Sequence, residues 1–158
     1  MENEIVLKEM TNQKDDFKVV QKGNMIESIN KMNSVFHYID LSYTKQGILF
    51  HGWVGFRTTE QLKGVLDGHF MDVFKQYKCK NSLVESSKMN GSFDDANEWM
   101  ATIFMPRLIG MGLKNVAVVL PQNIFAQIAV EGWDRRINGF LSRNFGSVND
   151  ALTWLKTT

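Results

Sequence analysis

The run Asn115-Val116-Ala117-Val118-Val119-Leu120, closed by Pro121, limits the possible folds of this chain more than any other stretch. It is apolar without interruption. A strand with one wet face alternates apolar and polar residues, so an unbroken run needs cover on both faces. That is the setting of a parallel sheet with helices on either side. Proline lacks the N–H that a ladder needs and ends the strand. The run is also far too short to cross a bilayer.

The surrounding pattern fits such a sheet. Val35, His37, Ile39, Leu41 and Tyr43 alternate with Phe36, Tyr38, Asp40 and Ser42, the period of a half-buried strand. Thr44-Lys45-Gln46-Gly47 reads as a turn, and Ile48 to Val54 as the returning strand of an antiparallel hairpin. Gly52 and Gly55 permit a bend or a close backbone approach at its end. Thr58 and Gln61 have capping-box spacing, and Leu62, Val65, Leu66, Phe70, Val73, Phe74 and Tyr77 continue as one apolar helical stripe.

Ser82 to Glu85 reads as a short strand that breaks into a polar turn at Ser86-Ser87-Lys88. A second helix, capped at Ser92, carries Ala96, Trp99, Met100, Ile103, Phe104, Leu108 and Met111 on its apolar face, with a kink or break expected at Pro106. A third is expected over Ile124 to Ile137, with Phe125, Ile128, Ala129, Gly132 and Trp133 on one face. A short strand follows within Gly139 to Phe145, and a last helix opens at Ser147. The expected order is β-β-α-β-α-β-α-β-α: an α/β domain over residues 34–158, with a mixed sheet of four to five strands and about four main helices. Residues 1–33 are polar with short apolar clusters and read as an N-terminal arm of uncertain structure.

The chain has 158 residues, which suits one domain. A net charge of +1 offers no electrostatic basis for a nucleic-acid partner or a polyanionic substrate. One cysteine excludes an internal disulfide and fits a reducing, cytoplasmic setting; no stable membrane insertion is expected. The 9 methionines and 11 phenylalanines read first as adaptable core filler and second as the lining of an apolar pocket.

Candidate chemistry is sparse. His37, His51 and His69 have no metal-ligand spacing and read as structural or surface residues. Cys79 has no evident histidine partner. No phosphate loop, nucleophile elbow or paired-carboxylate spacing occurs, so no catalytic residue, metal or cofactor is expected. An enzymatic role would require His51, Glu85 and Lys88 to converge on one cleft. The polar turn remains: Glu85, Ser86, Ser87 and Lys88 form a candidate docking loop, with a serine as a phosphorylation switch, against the plainer reading of a well-capped turn.

Several phrases in order resemble the SpoIIAA-like branch of the STAS superfamily, also described as STAS/SEC14-like, from Tyr38 to Lys156. They are Gly52-Trp53-Val54-Gly55, Trp99 with Met105-Pro106-Arg107, Gly112 to Val119, Phe125 with Gln127, Ala129 and Val130, and Ala151 to Lys156. The resemblance implies a non-enzymatic bacterial module that docks a protein partner or a second copy of itself. Its alternative is a carrier or sensor for an apolar or lipid-like molecule, with Trp53, Trp99, Phe104 and Pro106 around the pocket. In the antagonist branch, a serine after the third strand is the phosphorylated switch. Here Glu85-Ser86-Ser87 stands in place of Asp-Ser-Ser, and the following glycine is displaced to Gly91.

Overall fold

The computed structural model describes residues 4–10, 17–91, 93–124, 134–137 and 140–158. They form one mixed sheet of nine strands in the order β1-β2-β3-β4-β5-β6-β7-β9-β8. In chain order the strands are β1 (Glu4–Met10), β2 (Phe17–Lys22), β3 (Met25–Asn30), β4 (Val35–Asp40) and β5 (Ile48–Gly55), then β6 (Asn81–Met89), β7 (Asn115–Val119), β8 (Asp134–Ile137) and β9 (Phe140–Phe145). The helices are α1 (Thr59–Leu66), α2 (His69–Tyr77), α3 (Asn97–Trp99), α4 (Met105–Gly110) and α5 (Val148–Lys156). Among the described residues, the expected four to five strands and about four main helices are corrected to nine strands and about five helices.

Most of the added strands come from the segment read as an arm. β1, β2 and β3 pair antiparallel and extend the sheet from β4. Lys22 pairs with Met25, so Gly23 and Asn24 make a two-residue hairpin turn, and Gly23 takes the positive φ of 57° that such turns demand. Phe17, Val19, Val20, Ile26 and Ile29 are buried. Each strand is too short and too interrupted by polar residues to declare itself alone. Pairing across the sheet buries its apolar positions.

β5, β6, β7 and β9 run parallel, and β8 returns antiparallel along the edge of β9. The run that constrains the fold, β7, lies between β6 and β9 and is covered on both faces. On one face Val116 joins a core with Ile39, Leu49, Trp53, Leu62, Leu66, Phe70 and Leu108 under α1, α2 and α4. On the other, Ala117 and Val119 pack with Ile48, Phe50 and Leu83 beneath Ala151, Leu152 and Leu155 of α5. The Asn81 amide fastens α5 to the sheet by donating to Leu155 O at 3.2 Å and Thr158 Oγ1 at 2.9 Å. Its Oδ1 accepts from Asn115 Nδ2 at 2.9 Å.

Other boundaries shift for local reasons. β4 stops at Asp40 because its carboxylate accepts from Ser42 N–H and caps a 3-10 turn, Leu41–Gln46, which Gly47 ends at φ 74°. The Thr58–Gln61 capping box forms on both sides. The single helix expected after it is two, parted at Asp67 and Gly68, and α2 ends on Lys78 in the left-handed region at φ 49°. Asp134–Ile137, expected to close the third helix, is strand β8. The inward residues expected for that helix, Phe125, Ile128, Ala129, Gly132 and Trp133, lie outside the described residues, as does the Ser92 cap.

Candidate ligand pocket and the buried histidines

The sequence singled out Glu85-Ser86-Ser87-Lys88 as a loop, but the structure places all four residues inside β6. The feature there is a bulge. Gly52 of β5 pairs with Glu85, but Val54 pairs with Lys88, so β6 carries one extra residue. The Glu85 carboxylate holds the bulge, its Oε1 accepting from Ser87 N–H at 2.8 Å and Ser87 Oγ–H at 2.6 Å. Ser86 is buried and donates to Val119 O on β7 at 2.7 Å. A phosphoryl group on Ser86 would break that bond and force charge into the sheet. The reading of this run as a loop is therefore corrected: all four residues are built into the sheet, and of the four Lys88 alone is exposed.

Around the bulge, Tyr38, Gly52 and Glu85 lie in one row across β4, β5 and β6. A Cβ on Gly52 would stand 2.6 Å from the Tyr38 ring, so this glycine makes room for the phenol. Burial, and then the negative charges of Glu85 and Asp40, push the Tyr38 hydroxyl up to about 12.

The opposite face of the same strands carries a feature that the sequence did not single out. His37, His51 and His69 are all buried. His37 pairs in register with Trp53, and His51 with Ile39, so the two histidines are diagonal neighbours on one face. His37 Nε2 and His51 Nδ1 lie 3.0 Å apart. His69 comes from the first residue of α2, with its ring 6.3 Å from His37 and its Nε2 3.4 Å from Ser28 Oγ. Burial holds His51 down at about 3, and burial with the neighbouring histidines holds His37 well below its ordinary value. Both are neutral imidazoles near pH 7. Among the described residues no group of three His, Cys, Asp or Glu is placed to hold a metal ion.

His51 reaches a pocket of about 70 Å³ between the sheet and the helices that connect β6 to β7. Phe70, Phe104, Leu108 and Val116 supply apolar wall, and Ser82 is the other polar residue on the sheet side. The Ser82 hydroxyl is already committed, donating to Leu49 O at 3.0 Å. Of the four residues expected around an apolar pocket, Trp53 and Phe104 line it. Trp99 stands behind, stacked on Phe104 with ring centroids 5.6 Å apart. Pro106 is not in the wall, although its neighbour Met105 is.

Pro106 acts instead through the backbone. It has no N–H to continue the α ladder, and the turn before it, Met100–Phe104, is π-helical, with Met105 N–H donating to Met100 O. Thr102 Oγ1 donates back to Glu98 O at 2.7 Å, a bond that favours bending. The expected kink is thus a widened turn, and Met100, Phe104 and Met105 from it face the pocket.

His51, Glu85 and Lys88 do not converge. In the β5–β6 register His51 pairs with Val84, a wall residue of the pocket, while Glu85 is one position on and belongs to the other face. Cys79 is buried, and burial pushes its thiol up from its ordinary value. Among the described residues no helix is long and apolar enough to cross a membrane. Comparison with protein-family models, with curated proteins and with solved structures finds no match to this chain.

Proposed function

We propose that this chain is a non-enzymatic binding module that holds a small, mostly apolar ligand between the π-helical turn and the sheet. The pocket under Met100–Phe104 carries the proposal: an apolar wall with one histidine end and one serine oxygen. Ligand sites commonly have that composition, with a few placed polar groups in a hydrophobic lining. π-helical turns inside α-helices also recur at functional sites. The apolar-carrier branch of the STAS resemblance points the same way, but the pocket is small for a lipid. At about 70 Å³ it is well under the roughly 150 Å³ of an apolar cavity that accepts benzene. A sensor of small molecules fits better than a carrier of acyl chains.

Native mass spectrometry of freshly purified protein, paired with its denatured mass, tests for a retained ligand. Xenon titration followed by NMR of the Trp53 indole and the Met100 and Met105 methyl groups tests the pocket directly. Saturable shifts confined to these groups are expected. No bound mass together with no xenon response at any of them overturns the proposal.

A second reading, docking of a second copy, rests on β1. This strand ends the sheet, and its Ile5, Val6 and Leu7 are 56%, 56% and 45% exposed. Antiparallel pairing of two β1 strands centred on Val6 would set Glu4 opposite position 8, a lysine, and Ile5 opposite Leu7. The bulge between Val6 and position 8 would keep such pairing short. Sedimentation of the wild type and Val6→Lys decides it: a dimer converted to monomer supports self-docking, and a monomeric wild type removes it.

A further inference from the structure

We propose that the pocket selects a small neutral ligand with a single hydrogen-bond acceptor, such as a ketone oxygen, which it receives on His51 Nε2–H. This rests on the reading of the pocket as a ligand site and adds the chemistry of what enters.

The argument follows one proton. His37 Nε2 and His51 Nδ1 lie 3.0 Å apart, so one of them carries hydrogen and the other accepts. If the proton were on His51 Nδ1, neutral His37 would carry its own on Nδ1. His37 Nδ1 is buried and has no hydrogen-bond partner among the described residues. That arrangement strands an N–H donor in an apolar core, the rarest kind of unsatisfied group. With the proton on His37 Nε2, donated to His51 Nδ1, His37 Nδ1 keeps only a bare lone pair. The second arrangement also leaves one N–H without a protein partner, but moves it from the sealed His37 Nδ1 to His51 Nε2, on a ring that lines the pocket.

His51 is 5% exposed and lines the pocket, and the single hydrogen bond of its ring among the described residues is the one to His37. Nε2 is therefore a donor without a protein acceptor among the described residues, on a residue that lines the pocket. Ser82 gives its proton to Leu49 O and can offer the pocket only lone pairs. Besides the indole N–H of Trp53, the polar content of the site is the His51 donor and one weak acceptor in an apolar wall.

That inventory excludes most ligand classes. Both imidazoles are neutral, so a carboxylate or phosphate would lose its hydration without gaining a counter-charge. A pure hydrocarbon would leave the Nε2–H unpaired. A neutral acceptor on a compact apolar body satisfies it. By comparison with benzene-sized cavities, the space suits on the order of three to five heavy atoms.

Acetone and isobutene form a probe pair, equal in shape and differing in a carbonyl oxygen against a methylene. Both are titrated into the full chain and followed by NMR of the pocket methyl groups, in the wild type and in His51→Leu. The ratio of acetone to isobutene affinity is expected to fall at least tenfold in the variant. Isobutene binding with an unchanged ratio overturns the donor assignment but leaves the pocket as a ligand site. No response to either probe in the wild type overturns both. Imidazole 15N NMR of the wild type needs no variant. A proton on His51 Nε2 is expected, and a proton on His51 Nδ1 overturns the inference even if the variant fails to fold.

Discussion

His37 and His51 meet diagonally across the β4–β5 hairpin, Nε2 to Nδ1 at 3.0 Å, with Trp53 and Phe70 packed against the pair. Two imidazoles at that distance inside a core share one proton well and a second one badly. Protonating either would set a charge among aromatic rings with no carboxylate in the pair.

Stability should therefore depend on pH in a defined window. The folded-state value of His51 is about 3, against about 6.5 for an unfolded histidine. Below pH 6.5 the unfolded chain takes up a proton that the folded chain refuses, so stability is full above 6.5 and falls as pH drops toward 3. His37 acts in the same direction. The slope approaches about 1.4 kcal/mol per pH unit for each histidine. Urea unfolding between pH 7 and 5 should show the decline, and His51→Leu should flatten it. A wild-type stability that is level across that range would contradict the buried neutral pair.

Ser86 should behave as a structural residue. Ser86→Ala removes the bond to Val119 O and should cost about 1 kcal/mol. Ser86→Asp places a carboxylate against a carbonyl oxygen at a buried position and should cost at least about 3 kcal/mol. Chemical denaturation of both variants checks the order. An Asp variant as stable as the wild type would restore the switch.

Gly52→Ala should displace the Tyr38 ring, whose nearest atoms would lie 2.6 Å from the new Cβ. Overpacking of this kind costs about 1–3 kcal/mol. With Tyr38→Ala in the background most of that penalty should vanish, so a double-mutant cycle measures the coupling. Additive costs would show that the two residues do not conflict.

Asn81→Leu should loosen the C-terminal helix. It removes the donors to Leu155 O and Thr158 Oγ1 and leaves the Asn115 amide without its acceptor. A loss of about 2–3 kcal/mol is expected from three buried or half-buried bonds. Hydrogen exchange should rise first in α5. A uniform rise over the sheet would instead mean that Asn81 supports the core generally.

How far each feature was legible follows from the range of the interaction behind it. The Thr58 and Ser147 caps, the left-handed turn at Gly47 and the doubly covered strand at Val116–Val119 depend on a few adjacent residues, and they stand where their spacing placed them. Pro106 was legible as a disturbance but not as a π-helical turn, because the neighbouring packing decides how the ladder gives way. The polar run Glu85–Lys88 read as a loop because its composition is that of a turn. A partner strand on each side, Gly52 to Val54 and Val119, instead holds its first residues in the sheet. The histidines were missed for a related reason. Alternation along β4 and the hairpin turn together put His37 and His51 on one face, and that register could have paired them. Nothing local, however, brings His69 to them from α2.

The sequence by itself determined the alternation of strand and helix between Ile48 and Val119, the ends of several helices, and a central strand that must be covered twice. Only the tertiary structure decided that residues 4–10 and 17–30 add three strands, that Glu85–Lys88 carries a bulge, and that three separated histidines share one core. The first set depends on backbone groups and side chains a turn or less apart. The second depends on which distant segments pair, and therefore on where apolar surface and hydrogen-bonding edges remain to be covered once the whole chain has folded.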